Sequence, residues 1–256
     1  MRILALGDVV GNGAVNHLEK HLWTIRQKEH VDFVIVNGEN ATQVRGLSAK
    51  DATRLLDAGA DVITLGNHAF GMRDLYQYLD DAESIVRPAN YPPECPGHGY
   101  TVSVVDGWRL LCINVSGRVQ MEPLSSPFDA VDRILERESG NYDMAILDIH
   151  AEATSEKLAL AHYFDGRVAV MFGTHTHVPT ADERVLPKGS GYVTDLGMCG
   201  PVDSIIGTNK EQVIFRFRTM MPTRFDVAEG ECEANGVLFE ADAENGCVRS
   251  LRRICF

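Results

Sequence analysis

The apolar residues of this chain fall in short runs, each closed by a small polar cluster. Ile3-Leu4-Ala5-Leu6 stops at Gly7-Asp8, and Phe33-Val34-Ile35-Val36 stops at Asn37-Gly38-Glu39-Asn40. Val62-Ile63-Thr64-Leu65 stops at Gly66-Asn67-His68, and Met144-Ala145-Ile146-Leu147 at Asp148-Ile149-His150. Val168-Ala169-Val170-Met171-Phe172 stops at Gly173-Thr174-His175-Thr176-His177. Runs of this length, rich in β-branched residues and closed by turn formers, read as buried strands. Between the first two runs Val15, Leu18, Leu22 and Ile25 line one side of an amphipathic helix. Ser48-Ala49-Lys50-Asp51 reads as an N-cap with an acidic residue three places on, opening a second helix. Strand, helix, strand, helix, strand implies parallel strands with right-handed crossovers.

The middle departs from that rhythm. Tyr100 to Asp106 and Trp108 to Val115 are strand-like and joined by Asp106-Gly107, a hairpin turn. Helices are expected from Phe128 to Glu138 and from about Ser155 to Tyr163. Near the end, Asn235-Gly236 and Asn245-Gly246 both predict turns between antiparallel strands. With no internal repeat, linker or low-complexity stretch, residues 1–256 are expected to form a single domain. The periodicity by itself gives an α/β fold with a sheet extended or doubled by hairpins.

The candidate chemistry sits in the polar clusters. In a parallel sheet the carboxyl ends of strands share one edge, where open α/β folds bind ligands. Side chains far apart in sequence would therefore meet there. They bring carboxylates, amides and up to four imidazoles, with no cysteine among them. In an extended segment His175 and His177 project the same way. Such an oxygen and nitrogen donor set suits manganese, iron or zinc, and holds enough ligands for two ions sharing a carboxylate. Two metals about 3.5–4 Å apart recur in phosphoryl transfer.

Charge and composition narrow the partners. The formal net charge of −12 argues against sequence-independent binding to duplex nucleic acid or to an anionic membrane surface. A small phosphorylated substrate stays compatible, because a bound cation reverses the local sign. The six cysteines show no C-x-x-C spacing, and no apolar run approaches the roughly 20 residues of a membrane span. Nothing at the N-terminus resembles a signal peptide, so free or buried thiols in the cytoplasm are expected.

The ordered set of motifs resembles the calcineurin-like metallophosphoesterase superfamily, and its fuller wording resembles the YmdB-like branch of bacterial phosphodiesterases. The matching stretches are Gly7-Asp8-Val9-Val10-Gly11, Asn37-Gly38-Glu39-Asn40-Ala41, Arg87-Pro88-Ala89-Asn90, His150-Ala151-Glu152-Ala153-Thr154-Ser155-Glu156-Lys157 and Gly173-Thr174-His175-Thr176-His177. The likeness runs from residue 1 to about 230. It implies a four-layer α/β/β/α sandwich of two mixed sheets flanked by helices.

By the same resemblance Asp8 and His177 are ligands of metal 1, Glu39 bridges both metals, and Asn67, His150 and His175 bind metal 2. His68 is the general acid rather than a ligand. The wider superfamily's D-x-H motif has Val10 in its histidine position, and its bridging aspartate is replaced by Glu39. The YmdB-like branch shares both departures and uses Asn40 at metal 1. The expected ions are two divalent or trivalent transition metals, iron or manganese ahead of zinc. The implied reaction is hydrolysis of a small phosphodiester, 2′,3′-cyclic nucleotides foremost, by hydroxide from a bridging water with His68 protonating the leaving group. A slow nucleotide sensor with a scaffolding role, and a dinuclear hydrolase of a non-phosphorus substrate, are the alternatives. The oligomeric state is left open, a homo-oligomer included.

Other residues invite the same reading and are given weaker roles. His17 and His21 are four apart on a helix, but the H-E-x-x-H pattern needs Glu where Leu18 stands. Gly11-Asn12-Gly13 follows a strand and precedes a helix, yet Asn16 occupies the third glycine position of a dinucleotide fingerprint. His30, His98 and His162 fit no constellation. Arg87, Asn90, Asn114 and Arg118 are candidates to reach a substrate, and Glu152 and Thr154 to orient His150.

Overall fold

The computed structural model describes residues 1–256 apart from Val44 and Ala243. The elements of the first half run β1 (Arg2–Leu6), β2 (Asp8–Val9), α1 (Gly11–Lys28), β3 (Phe33–Asn37), α2 (Ala49–Asp57), β4 (Val62–Thr64), α3 (Asp74–Asp81) and β5 (Ile85–Val86). Then come β6 (Tyr100–Val105), β7 (Trp108–Ser116), α4 (Pro127–Arg137), β8 (Met144–His150), α5 (Thr154–Phe164) and β9 (Val170–Thr174). The chain finishes with β10 (Arg184–Val185), β11 (Gly191–Val193), β12 (Met198–Pro201), α6 (Lys210–Thr219), β13 (Cys232–Ala241) and β14 (Val248–Cys255).

The strands form two sheets. One has eight strands in the order β2-β12-β13-β1-β3-β4-β5, with β14 on β13; the other has six, β10-β11-β9-β8-β7-β6. The expected parallel core divides between them: β1, β3 and β4 pair in parallel in the first sheet, and β8 and β9 in the second, where the hairpin strand β7 also pairs in parallel with β8. The strand ends therefore do not share one sheet edge, as the sequence pattern alone suggested. They face each other from two packed sheets.

Alternation along each strand builds the layers. Ile3, Ala5, Phe33 and Ile35 of the first sheet meet Cys112, Ile146, Val170 and Phe172 of the second in a core between the sheets. Their neighbours Leu4, Leu6, Val34 and Val36 point the other way, onto Val15, Leu18 and Leu22 of α1. On the far face of the second sheet, Leu147, Ile149 and Met171 pack against Val131 of α4 and Leu160 of α5. Strands apolar on both faces read as unbroken hydrophobic runs for this reason. The result is helix, sheet, sheet, helix, the four-layer α/β/β/α sandwich. No helix among the described residues is long and apolar enough to cross a membrane.

Local signals set several boundaries. Ser48 caps α2 by accepting from Asp51 N at 3.1 Å, and Ser126 caps α4 ahead of Pro127. The β6–β7 hairpin turns at Asp106-Gly107. Asn245-Gly246 lies in the connection from β13 to β14, as expected. Asn235-Gly236 does not turn. It lies inside β13, where Gly236 pairs with Leu6 and an added Cβ would come within 2.2 Å of Ala5 O. Here glycine serves close backbone approach in a strand. Helices α3 and α6 were not foreseen. All six cysteines are free thiols, Cys112 and Cys199 buried.

Candidate active site

The opposed carboxyl ends bring eight predicted residues together. From the first sheet come Asp8 in β2, Glu39 and Asn40 just beyond β3, and Asn67 and His68 just beyond β4. The second sheet supplies His150, the last residue of β8, and His175 and His177 just beyond β9. Asp8, Glu39, Asn40 and His150 are buried.

Three of these side chains crowd around a ring nitrogen of a fourth, His150. His150 Nε2 lies 2.9 Å from Asn67 Oδ1, 3.1 Å from His175 Nδ1 and 3.2 Å from Glu39 Oε1. Metal–ligand bonds of about 2.0–2.2 Å place adjacent ligand atoms roughly 3.0–3.5 Å apart, so the spacing is that of a coordination shell. The other ring nitrogen of His150 is committed. Thr174 Oγ1 donates to Asp148 Oδ1 at 2.7 Å and accepts from His150 Nδ1 at 2.9 Å. Thr64 Oγ1 at 2.5 Å and Asn37 Nδ2 at 3.1 Å donate to the same aspartate. This chain leaves Nε2 to face Glu39 and His175 with its lone pair whenever the imidazole is neutral.

A second, looser group adjoins the first. His177 Nε2 is 3.7 Å from Asp8 Oδ1 and 3.3 Å from Asn40 Nδ2, and Asn40 Nδ2 donates to Glu39 Oε1 at 3.1 Å. His177 Nδ1 donates to Ile206 O at 2.9 Å, which again leaves Nε2 for the cleft. Asp8 Oδ1 and Asn40 Oδ1 are buried with no hydrogen-bond partner. Buried orphan oxygens are costly unless something else satisfies them, and a cation would. The donor set thus fits a pair of metal ions, with Glu39 common to both groups.

The electrostatics of the protein groups alone point the same way. Burial pushes the Asp8 carboxyl up to about 6, against the pull of His177 and His150. Burial also acts to raise Glu39, but the adjoining His150 and His68 hold it down at about 2. Burial opposes charge on His150, yet Glu39, Asp8 and Asp148 raise it to about 9. Burial and the charge of His150 press His175 down to about 3. One positive charge, on His150, is favoured at the centre of this cluster, and a second on His175 is not.

The loop carrying His175 and His177 is held from below. His175 has φ 97° and His177 φ 65°, left-handed values that non-glycine residues seldom adopt. His175 N donates to Asp8 Oδ2 at 3.0 Å. Between the two histidines, Thr176 donates through N at 3.2 Å and Oγ1 at 2.8 Å to Asp195 Oδ2. That carboxylate also takes the fully buried Lys157 Nζ at 2.7 Å. Lys157 and Asp195 were not singled out from sequence, although Asp195 stands just beyond β11 in a strand-end cluster like the others.

Several weaker candidates are placed elsewhere. Glu152 Oε2 lies 3.2 Å from His175 Nε2, so it supports His175 rather than His150. Thr154 opens α5, and the side chain that holds His150 Nδ1 is that of Thr174. Arg87 spends its guanidinium on the carbonyls of Pro88, Cys95 and Pro96. Asn90 is used up by the backbone of Ser116 and Ser125, and Asn114 Nδ2 by Leu65 O. Arg118 is exposed. His17 Nε2 meets Phe256 O at 3.0 Å on a partly buried helix face, and His21 is exposed.

Comparison with known proteins gives the family. The model of the family described as YmdB-like protein matches residues 4–254. The chain belongs to the YmdB-like family. A relative from Bacillus subtilis (strain 168), called 2′,3′-cyclic-nucleotide 2′-phosphodiesterase, is 43% identical over 254 residues, covering 99% of this chain and 96% of its own. A crystal structure of a hypothetical protein from Thermus thermophilus superposes with TM-score 0.94 at 43% identity, covering 100% of this chain and 99% of that one. A structure described as a novel phosphatase from Mycoplasma pneumoniae does so at TM-score 0.94 and 36% identity, covering 100% and 93%. At the level of fold alone, the calcineurin-like phosphoesterase YfkN of Bacillus subtilis matches with TM-score 0.62 at 13% identity, covering 100% and 90%.

Proposed function

We propose that this chain is a metal-dependent phosphodiesterase acting on small phosphodiesters, foremost 2′,3′-cyclic nucleotides. The observation that carries the reading is the crowding of Glu39, Asn67 and His175 about His150 Nε2, with orphaned oxygens of Asp8 and Asn40 beside it. Glu39, Asn67, His150 and His175 would hold one ion, and Asp8, Asn40 and His177 the other, with Glu39 shared. Iron or manganese suits this oxygen-rich set better than zinc. When bound, such a pair supplies Lewis acidity toward the phosphate and an acidified water. The Bacillus relative's name supplies the substrate class.

The chain's own groups do the rest. The Asp148–Thr174 relay fixes the tautomer of His150, and Ile206 O fixes that of His177. His68 stands at the cluster with its backbone N–H donating to Glu39 Oε2 at 2.9 Å. Its imidazole would hand a proton to the departing oxygen. Burial lowers the basicity of His68, with Glu39 countering and Arg45 adding to the fall. The negative charge of a bound diester would favour the imidazolium at the moment it is needed. We read residues 1–256 as one such domain, since β13 and β14 from the end of the chain complete the sheet begun by β1.

The test is hydrolysis of bis-p-nitrophenyl phosphate and of 2′,3′-cAMP by the manganese-loaded chain. Both should be cleaved. His68→Ala should retain metal while losing turnover by roughly 10²–10⁴-fold, whereas Asp8→Ala or Glu39→Ala should lose metal itself. A manganese-loaded chain that cleaves neither diester overturns the reading, and unchanged turnover in His68→Ala overturns the acid assignment.

A further inference from the structure

A cavity of about 680 Å³ opens between the loop that follows Glu39 and the stretch that follows α6. Asn12, Gln43 and Arg45 line one side; Arg224, Phe225 and Asp226 line the other. Both walls are tied to the looser ligand group. Gly11 N donates to Asn40 O at 2.9 Å, and Gly46 N, next to Arg45, donates to Glu39 O at 2.6 Å. Across the cavity, Asn209 N donates to Asp226 O at 3.0 Å and Ala228 N to Gly207 O at 2.9 Å. Those bonds join this wall to the turn whose Ile206 O holds His177. The walls of the cavity are therefore continuous with the segments that carry Asn40 and His177, and Arg45 is near enough for its charge to bear on His68.

The chemistry of the lining is at odds with the rest of the molecule. The chain carries a net charge of −12, yet two arginines face this space against one aspartate. Asp226 accepts from Gln212 Nε2 through Oδ2 at 2.8 Å and makes a long, exposed ion pair through Oδ1 with Arg224 Nε at 3.6 Å, a contact with which a phosphate would compete. Arg45 and Arg224 are both exposed, and Phe225 is half-buried. Planar guanidinium groups match phosphate oxygens two at a time, and an aromatic face beside them suits a stacked base.

The geometry points to this cavity as the subsite for the part of a nucleotide substrate remote from the scissile diester. A second phosphate would sit between Arg45 and Arg224, with the nucleoside against Phe225. The inference rests on the phosphodiesterase reading and narrows it. The preferred substrates are cyclic-phosphate nucleotides that carry a further phosphate, not bare cyclic mononucleosides.

Isothermal titration of the full chain after chelation, with adenosine 5′-monophosphate and with adenosine, reads this site apart from catalysis. Chelation removes the cations that would draw a phosphate to the Asp8–Glu39 group. The monophosphate should bind roughly tenfold tighter than adenosine. Arg45→Ala and Arg224→Ala should each abolish most of that difference, and Arg224→Lys should keep part of it. No measurable monophosphate binding, equal affinities, or a preference that survives both alanine substitutions would overturn the proposal. With manganese restored, the ratio of kcat/KM for 5′-phosphorylated 2′,3′-cAMP over 2′,3′-cAMP should exceed one in the native chain and fall in both variants, through KM. Arginine-dependent monophosphate binding by a chain that hydrolyses no diester would uphold the site and overturn the phosphodiesterase reading alone.

Discussion

Lys157 Nζ lies 2.7 Å from Asp195 Oδ2, and both side chains are shut away from solvent beneath the loop that carries His175 and His177. The pair joins α5 to the end of β11, and through Thr176 it fixes the left-handed turn between the two histidines. Removing the ammonium strands a buried carboxylate, which typically costs about 3–5 kcal/mol. Lys157→Met should lower the urea midpoint accordingly and weaken metal retention along with it. Equal urea midpoints for the variant and the native chain would show the pair to be dispensable.

Gly66 presents a sharper steric test. A Cβ there would fall 2.3 Å from His150 Nε2 and 2.4 Å from Glu39 Oε2, both facing the site. Gly66→Ala should displace one of those side chains while leaving the layers intact. Bound metal, measured by elemental analysis, should drop, and turnover of bis-p-nitrophenyl phosphate should fall by roughly 100-fold. A variant with full metal content and native turnover would mean that the ligands adjust freely.

The chelated chain should also have a distinctive pH response. His150 is raised to about 9 from an ordinary 6.5, so its contribution to stability is complete below pH 6.5 and vanishes as pH climbs through 9. Asp8, raised to about 6, acts in the same direction at lower pH: its contribution is present below 3.8 and lost through 6. The melting temperature of metal-free protein should therefore decline from pH 6.5 to 9, and His150→Gln should flatten that decline. Manganese should do the same, since the ion takes the proton's place. A flat profile in the native metal-free chain would count against the placement of His150 beside Glu39.

The strand-end residues were legible because each follows an unbroken apolar run, and such runs are what burial on both faces demands. Asp8, Glu39, Asn40, Asn67, His68, His150, His175 and His177 needed nothing more than that pattern and the family resemblance. Asn235-Gly236 misled because the same dipeptide that suits a turn also suits a strand lying hard against Ala5. Helices α3 and α6 escaped because they are short and bury little: Leu75 and Leu79 in one, Val213 in the other. Lys157 and Asp195 are 38 residues apart and acquire meaning only as a pair. Glu152 was assigned to the wrong histidine because adjacency along the chain favoured His150, whereas the fold turns it to His175.

The two sheets contribute unlike donors: carboxylates and amides come from Asp8, Glu39, Asn40 and Asn67 on one side, imidazoles from His150, His175 and His177 on the other. On the proposed assignment neither half by itself holds the full ligand set of either ion. On that reading ion capture would report docking of the two halves, and a folding intermediate with only one of them assembled would lack the complete site.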